Sequence, residues 1–282
     1  MRRKRLSVAD LQGEQGLLVT GFLRSRRQGL SSNTIKFYRG YLRSAAEIVR
    51  TNTTAQEIDG FLGKLGCSNG GKHAYYRTLR TFFRWLYSPR SGMGLSPSDN
   101  PMLLVDPPKV EKKILPTLTV EQVDYLIDQV DYVRDKAIIS LFADSGLRLS
   151  ELASIKPENI DWGERLIKVR CKGNKEGWAV FGRRTESLLR QWLSQYTPNG
   201  TIWDLNRGGI IDLMRRLRHT MGLPCNPHTF RRTFATILAK KGMDSLHIMR
   251  LGRWESIAMV ERYTRSVQFE DSLRLYRQLE AT

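Results

Sequence analysis

The sequence predicts a mainly α-helical protein with one small antiparallel β-sheet, divided into two domains. Three observations predict it. Apolar residues recur at helical spacing over residues 17–86 and again from residue 120 onward. One pair of short alternating segments, Leu166-Ile167-Lys168-Val169-Arg170 and Trp178-Ala179-Val180-Phe181, interrupts that pattern around Gly173-Asn174 and Gly177, as in a β-hairpin. Between the two helical stretches, Pro89, Gly92, Gly94, Pro97, Pro101, Pro107, Pro108 and Pro116 break any regular element. The expected organisation is an all-α domain over residues 1–100, a basic linker over 101–116 and a mixed α/β domain over 117–282.

In the first domain, Leu18, Phe22 and Leu23 begin an amphipathic face. Ser31, Ser32 and Asn33 offer an N-cap for a helix carrying Ile35, Tyr38, Leu42 and Ile48. Residues 54–65 read as a third helix, and Ser68-Asn69-Gly70-Gly71 as a turn before a fourth. That fourth helix places Tyr75, Tyr76, Leu79, Phe82, Phe83 and Leu86 on its apolar side and Lys72, Arg77, Arg80 and Arg84 opposite, as suits a helix laid against DNA. The second domain opens on Thr119-Val120-Glu121-Gln122, a capping-box start. Helices are expected near 120–130 and 132–145, the second stopped by Gly146, with a short one from Ser150. After the hairpin, helices are expected near 184–196, 208–220, 227–241, 244–251, 256–264 and 268–280. Pro227 suits a first helical position after Asn226, and Gly242 suits a helix end.

Charge narrows the partner. Over 282 residues, 46 Lys and Arg oppose 28 Asp and Glu, a net +18. Such an excess calls for a polyanion, and nucleic acid fits best. Residues 1–100 hold 17 basic and 6 acidic side chains, so the N-terminal part carries +11 of the total. The 40% hydrophobic content is enough for real cores and argues against global disorder. Cys67, Cys171 and Cys225 are odd in number and lie far apart, which suggests neither a disulfide framework nor a zinc site. The basic start is interrupted by Asp10, Gln12, Glu14 and Gln15 before any apolar run, and no stretch approaches a bilayer span. The expectation is a cytoplasmic protein without a membrane partner.

Several residues suit phosphodiester chemistry. Breaking that bond needs a nucleophile, positive charge at the non-bridging oxygens and a proton for the leaving oxygen. Arg148 and Arg231 can fork onto phosphate oxygens and stay charged. Lys172, at the hairpin tip, can donate a proton, and Lys175 on the same turn is its alternative. His228, three residues before Arg231 on one helix face, can accept one. Trp254 has a donor-only indole N–H, and Tyr263 follows it by nine residues. Taken singly, each is an ordinary surface or core residue; their order and spacing carry the reading.

That order resembles the tyrosine recombinase, or phage integrase, family in a simple two-domain, chromosome-dimer-resolvase-like form, over nearly the whole chain. Arg148 in Gly146-Leu147-Arg148-Leu149-Ser150-Glu151-Leu152 resembles the family's first catalytic arginine, and Glu151 the acidic residue that orients it. Lys172 resembles the hairpin lysine that acts as general acid. His228-Thr229-Phe230-Arg231 resembles the His-x-x-Arg box, and Arg253-Trp254 with Tyr263 the closing segment with its nucleophile. Trp254 stands where the family usually has a second histidine, which leaves His228 as the base, and Met259-Val260 replaces small polar residues. The resemblance implies an all-α, SAM-like core-binding domain and a DNA breaking-rejoining catalytic domain. It also implies strand exchange through a 3′-phosphotyrosyl link without metal, ATP or other cofactor, by a homotetramer on two DNA sites. No separate arm-site-binding domain is expected. Two other classes remain: strand relaxation like that of a type IB topoisomerase, and a catalytically idle DNA-binding protein on the same fold.

Overall fold

The computed structural model describes residues 13–111, 114–171, 175–265 and 267–280. The chain forms two compact units, residues 1–112 and 113–282.

The first unit is built from four helices: α1 (Gly13–Arg26), α2 (Ser32–Ser44), α3 (Ala55–Lys64) and α4 (Asn69–Leu86). Short polar side chains start three of them. Ser31 and Ser68 accept from the backbone N–H groups of Thr34 and Gly71, and Thr54 forms a reciprocal capping box with Glu57, satisfying donors that a helix start leaves orphaned. Phe22 is fully buried at the centre, with Tyr38, Phe82 and Trp85 edge-on at 5.5 to 5.6 Å, a geometry that suits aromatic quadrupoles. Ile48, expected on α2, sits instead on a separate 3₁₀ turn (Ala46–Ile48), because α2 closes at Ala45.

The linker expectation needs correction. Residues 101–105 belong to the first unit: Met102 and Val105 are buried in its core, and Tyr76 Oη donates to the Val105 carbonyl at 3.3 Å. Prolines here break the helix but leave the apolar side chains between them free to bury. On the other side, the Pro116 carbonyl accepts from Arg232 and the Leu118 N–H donates to Thr233 Oγ1, so the end of the expected linker is fixed to the second unit.

The second unit surrounds α6 (Val133–Ser145), whose Ile138, Ile139, Leu141 and Phe142 are completely buried. Around it pack α5 (Val120–Asp128), α8 (Arg183–Gln195) and α10 (Pro227–Lys240). Between α6 and α8 run the short α7 (Leu149–Leu152) and three strands: β1 (Ile160–Asp161), β2 (Leu166–Arg170) and β3 (Glu176–Val180). The sheet is antiparallel in the order β1-β2-β3, with Ile167 opposite Ala179 and Lys168 opposite Trp178. The hairpin matches expectation; β1, only two residues long, has too little alternation to be read from sequence. The remaining helices are α9 (Arg207–Met221), α11 (Ser245–Leu251), α12 (Ile257–Thr264) and α13 (Phe269–Glu280). The tail helix α13 packs against the end of α10 in the same chain, through Lys240–Asp271 at 3.3 Å and an Arg274 donation to the Lys240 carbonyl. Among the described residues no helix is long and apolar enough to cross a membrane.

Gly146 ends α6 at φ +55°, and a Cβ there would lie 2.6 Å from Phe234 Cδ1. Gly146→Ala adds a left-handed backbone penalty to an overpacked core, so denaturant unfolding should show a loss of about 2–4 kcal/mol. A loss under about 0.5 kcal/mol, the range of ordinary surface substitutions, would contradict this packing.

Candidate active site and basic groove

Two helix C-termini meet in the second unit. The ends of α6 and α11 each present free carbonyl oxygens, the negative end of a helix dipole. Two arginines use both ends. Arg231, on α10, donates to the Gly146 carbonyl and, at 2.5 Å, to the Gly252 carbonyl. Arg253 takes the neighbouring pair, donating to Ser145 O at 3.2 Å and Leu251 O at 2.8 Å. These carbonyls hold two guanidiniums that would otherwise be buried without compensation: Arg231 is 4% exposed and the Arg253 side chain 8%.

Glu151 is a buried carboxylate beside Arg253. It accepts from the Arg148 backbone N–H at 2.9 Å and from Arg148 Nη1 at 2.6 Å, and lies 3.5 Å from Arg253 Nη2. Burial alone would raise its pKa, but the Arg148 hydrogen bonds and the Arg253 and Arg148 charges outweigh that and hold it below the ordinary value. Arg148 keeps its second terminal nitrogen on the Arg253 carbonyl at 3.4 Å, with 28% of its side chain open to solvent.

The remaining groups lie around Arg231. Its guanidinium stacks on the Trp254 ring at 4.4 Å, and that ring lies 5.5 Å from Tyr263. Gly252 makes this possible, because a Cβ there would overlap the indole. Trp254 Nε1 is buried and has no acceptor among the described residues. Burial, then the Arg148 and Arg253 charges, lower the Arg231 pKa to about 9, opposed by Glu151 and Tyr263. Asn226 caps α10 by accepting from the Thr229 N–H, which fixes the start of the helix where His228 sits. His228 has a solvent-exposed face, yet desolvation of the rest, with the Arg232, Arg231 and Arg148 charges, lowers its pKa. Tyr263, on α12, is half-buried over a small apolar cluster of Phe234, Ala235, Ile248, Trp254 and Val260, and Thr236 Oγ1 donates to its carbonyl. Val260 supplies the buried contact of α12 while Met259 points outward.

Of the residues singled out in the sequence, Arg148, Glu151, His228, Arg231, Trp254 and Tyr263 therefore converge. Lys172 lies outside the described residues; Lys175, its alternative, is exposed at the start of the returning strand. Sequence reasoning gave no role to Arg253 or Arg232, both largely buried. An arginine carries no burial signal, and only the adjacency of Arg253 to Trp254 hinted at it. Among the described residues, no group of three or more His, Cys, Asp or Glu side chains is placed to hold a metal ion.

The first unit carries a separate groove, where Arg26, Arg77, Arg80, Arg84 and Arg90 line a cavity with Tyr38 and no carboxylate. Arg77, Arg80 and Arg84 share one exposed face of α4. Lys72 does not join them: its Nζ donates to the Gly63 carbonyl at 3.1 Å, at the end of α3.

Residues 116–269 match the phage integrase family. The tyrosine recombinase XerC of Thermodesulfovibrio yellowstonii is 30% identical to this chain, over 87% of this chain and 90% of that protein. The tyrosine recombinase XerA of Saccharolobus solfataricus is 26% identical over 90% of each. Among solved structures, a XerH site-specific recombinase bound to a palindromic difH substrate, in a post-cleavage complex, superposes with a TM-score of 0.74. It covers 96% of this chain and 97% of that one at 18% identity, a likeness of fold.

Glu151→Gln would leave Arg253 buried beside a neutral group and should cost about 3–5 kcal/mol at pH 7. The sign with pH follows from the lowered carboxylate pKa. The Glu151 contribution is complete above the ordinary value of 4.5 and is lost as pH falls through the lower folded-state value. The stability gap between wild type and Glu151→Gln, followed by denaturant unfolding, should therefore close below pH 4.5. A gap that stays constant would remove the ionised pair as its cause.

Proposed function

Because the chain belongs to the phage integrase family and is a tyrosine-type site-specific recombinase, we propose that it cleaves and rejoins double-stranded DNA through Tyr263, by way of a 3′-phosphotyrosyl intermediate. The observation that carries this reading is an excess of inward-held donors around one phenol. Arg148 and Arg253 act electrostatically on Arg231, Arg231 and Arg232 on Tyr263, and His228 lies within reach of Arg148, Arg231 and Arg232; Glu151 is the carboxylate whose charge is felt at Arg231, and Trp254 Nε1 lacks an acceptor among the described residues. Such a site is short of an anion, and a DNA phosphate supplies one.

In the proposed first step, Tyr263 Oη bonds to phosphorus and the bond to the 5′-oxygen breaks. His228, kept neutral by its surroundings, takes the phenol proton. Lys172 gives a proton to the departing 5′-oxygen, with Lys175 the alternative donor. Arg148, Arg231 and the Trp254 N–H receive the charge on the non-bridging oxygens. In the second step a 5′-hydroxyl of the partner duplex attacks the same phosphorus and releases Tyr263. One phosphodiester is exchanged for another, so the bond energy is retained and no ATP is consumed, and the arginines supply the charge that a metal would otherwise bring. The groove lined by Arg77, Arg80 and Arg84 is the proposed DNA-backbone contact, with Lys72 a more distant contributor. Exchange between two duplexes calls for a homo-oligomer, and the resemblance implies a tetramer.

Covalent trapping tests the reading. Nicked suicide duplexes cut from DNA flanking the gene, incubated without metal or ATP, should yield a denaturant-resistant complex mapping to Tyr263. Tyr263→Phe should bind the same DNA within about 2-fold and trap none, since only the nucleophile is lost. Arg231→Ala should slow cleavage by ~10²-fold or more with modest loss of binding. Relaxation of supercoiled plasmid without a specific site would favour the topoisomerase-like alternative, and a Tyr263→Phe chain indistinguishable from wild type the idle binder.

The pH profile gives an independent check. A lowered His228 pKa in the free protein keeps the base form dominant through the ordinary 6.5, so the acid limb of the second-order cleavage rate, read with DNA well below its Kd, should have its midpoint below pH 6.5. A midpoint above 6.5 would remove His228 from the base role.

A further inference from the structure

The proposed reaction leaves two buried guanidiniums, Arg232 and Arg253, without a task, and of the two it is Arg253 that contacts Arg148 and Glu151. Arg253 has φ +56°, a left-handed backbone that side chains with a Cβ adopt only at a cost. Glycine would suit that backbone better, so the arginine side chain must be held in place by what it contacts. Its Nη1 donates to the Trp178 carbonyl of β3 at 3.0 Å and to Leu251 O at the end of α11. Its Nη2 donates to Ser145 O and pairs with Glu151. Its own carbonyl accepts from Arg148 Nη2. The sheet makes room for it: at Gly177, on β3, a Cβ would come within 3.2 Å of Arg253 Cδ.

We propose that Arg253 is a positioning residue for the cleavage step: it fixes Arg148 through both Glu151 and its own carbonyl, and ties the returning strand of the hairpin to that fixed point. Arg148 is the partly open arginine of the site, so its side chain has the most freedom to lose. Two of its four possible terminal N–H donations, to Glu151 and to the Arg253 carbonyl, depend on where residue 253 sits. A lysine has no fork with which to reach β3, α6 and α11 together. The inference rests on the proposed cleavage by Tyr263.

The test compares wild type, Arg253→Gly and Arg253→Lys on one nicked suicide duplex, reading the single-turnover rate of covalent complex formation separately from the Kd for DNA. Arg253→Gly relieves the backbone strain while removing the fork. Its cleavage rate should fall by about 10²-fold, as for a catalytic group displaced by about an ångström, with Kd within about 3-fold of wild type. Arg253→Lys, which keeps a charge beside Glu151, should recover part of that rate. If Arg253→Gly fails to fold, Arg253→Lys decides alone, and a wild-type rate in it overturns the inference. A wild-type rate in folded Arg253→Gly, or a loss wholly in Kd, also overturns it. Absence of any covalent complex in wild type would instead overturn the Tyr263 reading, and the inference with it.

Discussion

Guanidiniums held on helix-end carbonyls are the constraint on which the second unit turns. Burying a charge is costly unless it is paired and hydrogen-bonded. Here two helices, α6 and α11, end against each other, and their last carbonyls receive Arg231 and Arg253 in adjacent registers. Everything nearby follows from keeping those ends together. Gly146 must adopt a left-handed backbone so that its carbonyl faces inward, and Gly252 must lack a Cβ so that Trp254 can lie over Arg231. Glu151 must be buried and ionised, because it faces Arg148 and Arg253 together.

Such an arrangement is preorganised rather than stable for its own sake. Donors fixed in advance cost no reorganisation when charge develops at a phosphate. Burial first, and then the Arg148 and Arg253 charges, push the Arg231 guanidinium below its ordinary range, and an anion bound there would offset both. The arginines of the first unit behave differently. Arg77, Arg80 and Arg84 are exposed and well hydrated, suited to salt-dependent grip on a backbone rather than to chemistry at one phosphate. One residue type thus does two jobs, separated by burial.

The helix bearing Tyr263 is lightly held by comparison. α12 buries one side chain, Val260, and is further tied by the Thr236 hydroxyl to the Tyr263 carbonyl and by the tyrosine ring against Trp254. Few buried contacts mean a low local cost of opening. The arginines sit on carbonyls of the core, while the proposed nucleophile sits on an element that buries a single side chain.

Much of this was legible in the sequence, because local physics writes it there. Ser31, Thr54, Ser68, Thr119 and Asn226 marked helix starts through hydrogen bonds made within three residues of themselves. The hairpin showed in its period, and the proposed catalytic set in its order and spacing. The place of Lys72 was not legible, because a basic residue on a basic helix looks the same whether it faces solvent or caps its neighbour, as it does at Gly63. Residues 101–105 were misjudged because proline content reports a broken helix, not an exposed chain.

By itself, then, the sequence determined most of the elements, the division into two helical regions and the groups proposed to react, all of which depend on short-range periodicity and residue chemistry. Only the tertiary structure decided which arginines are buried, that Arg253 joins Arg148 through Glu151, and that Trp254 lies between Arg231 and Tyr263. Residues 151 and 253 lie about a hundred positions apart, and no local pattern records a contact made across that separation.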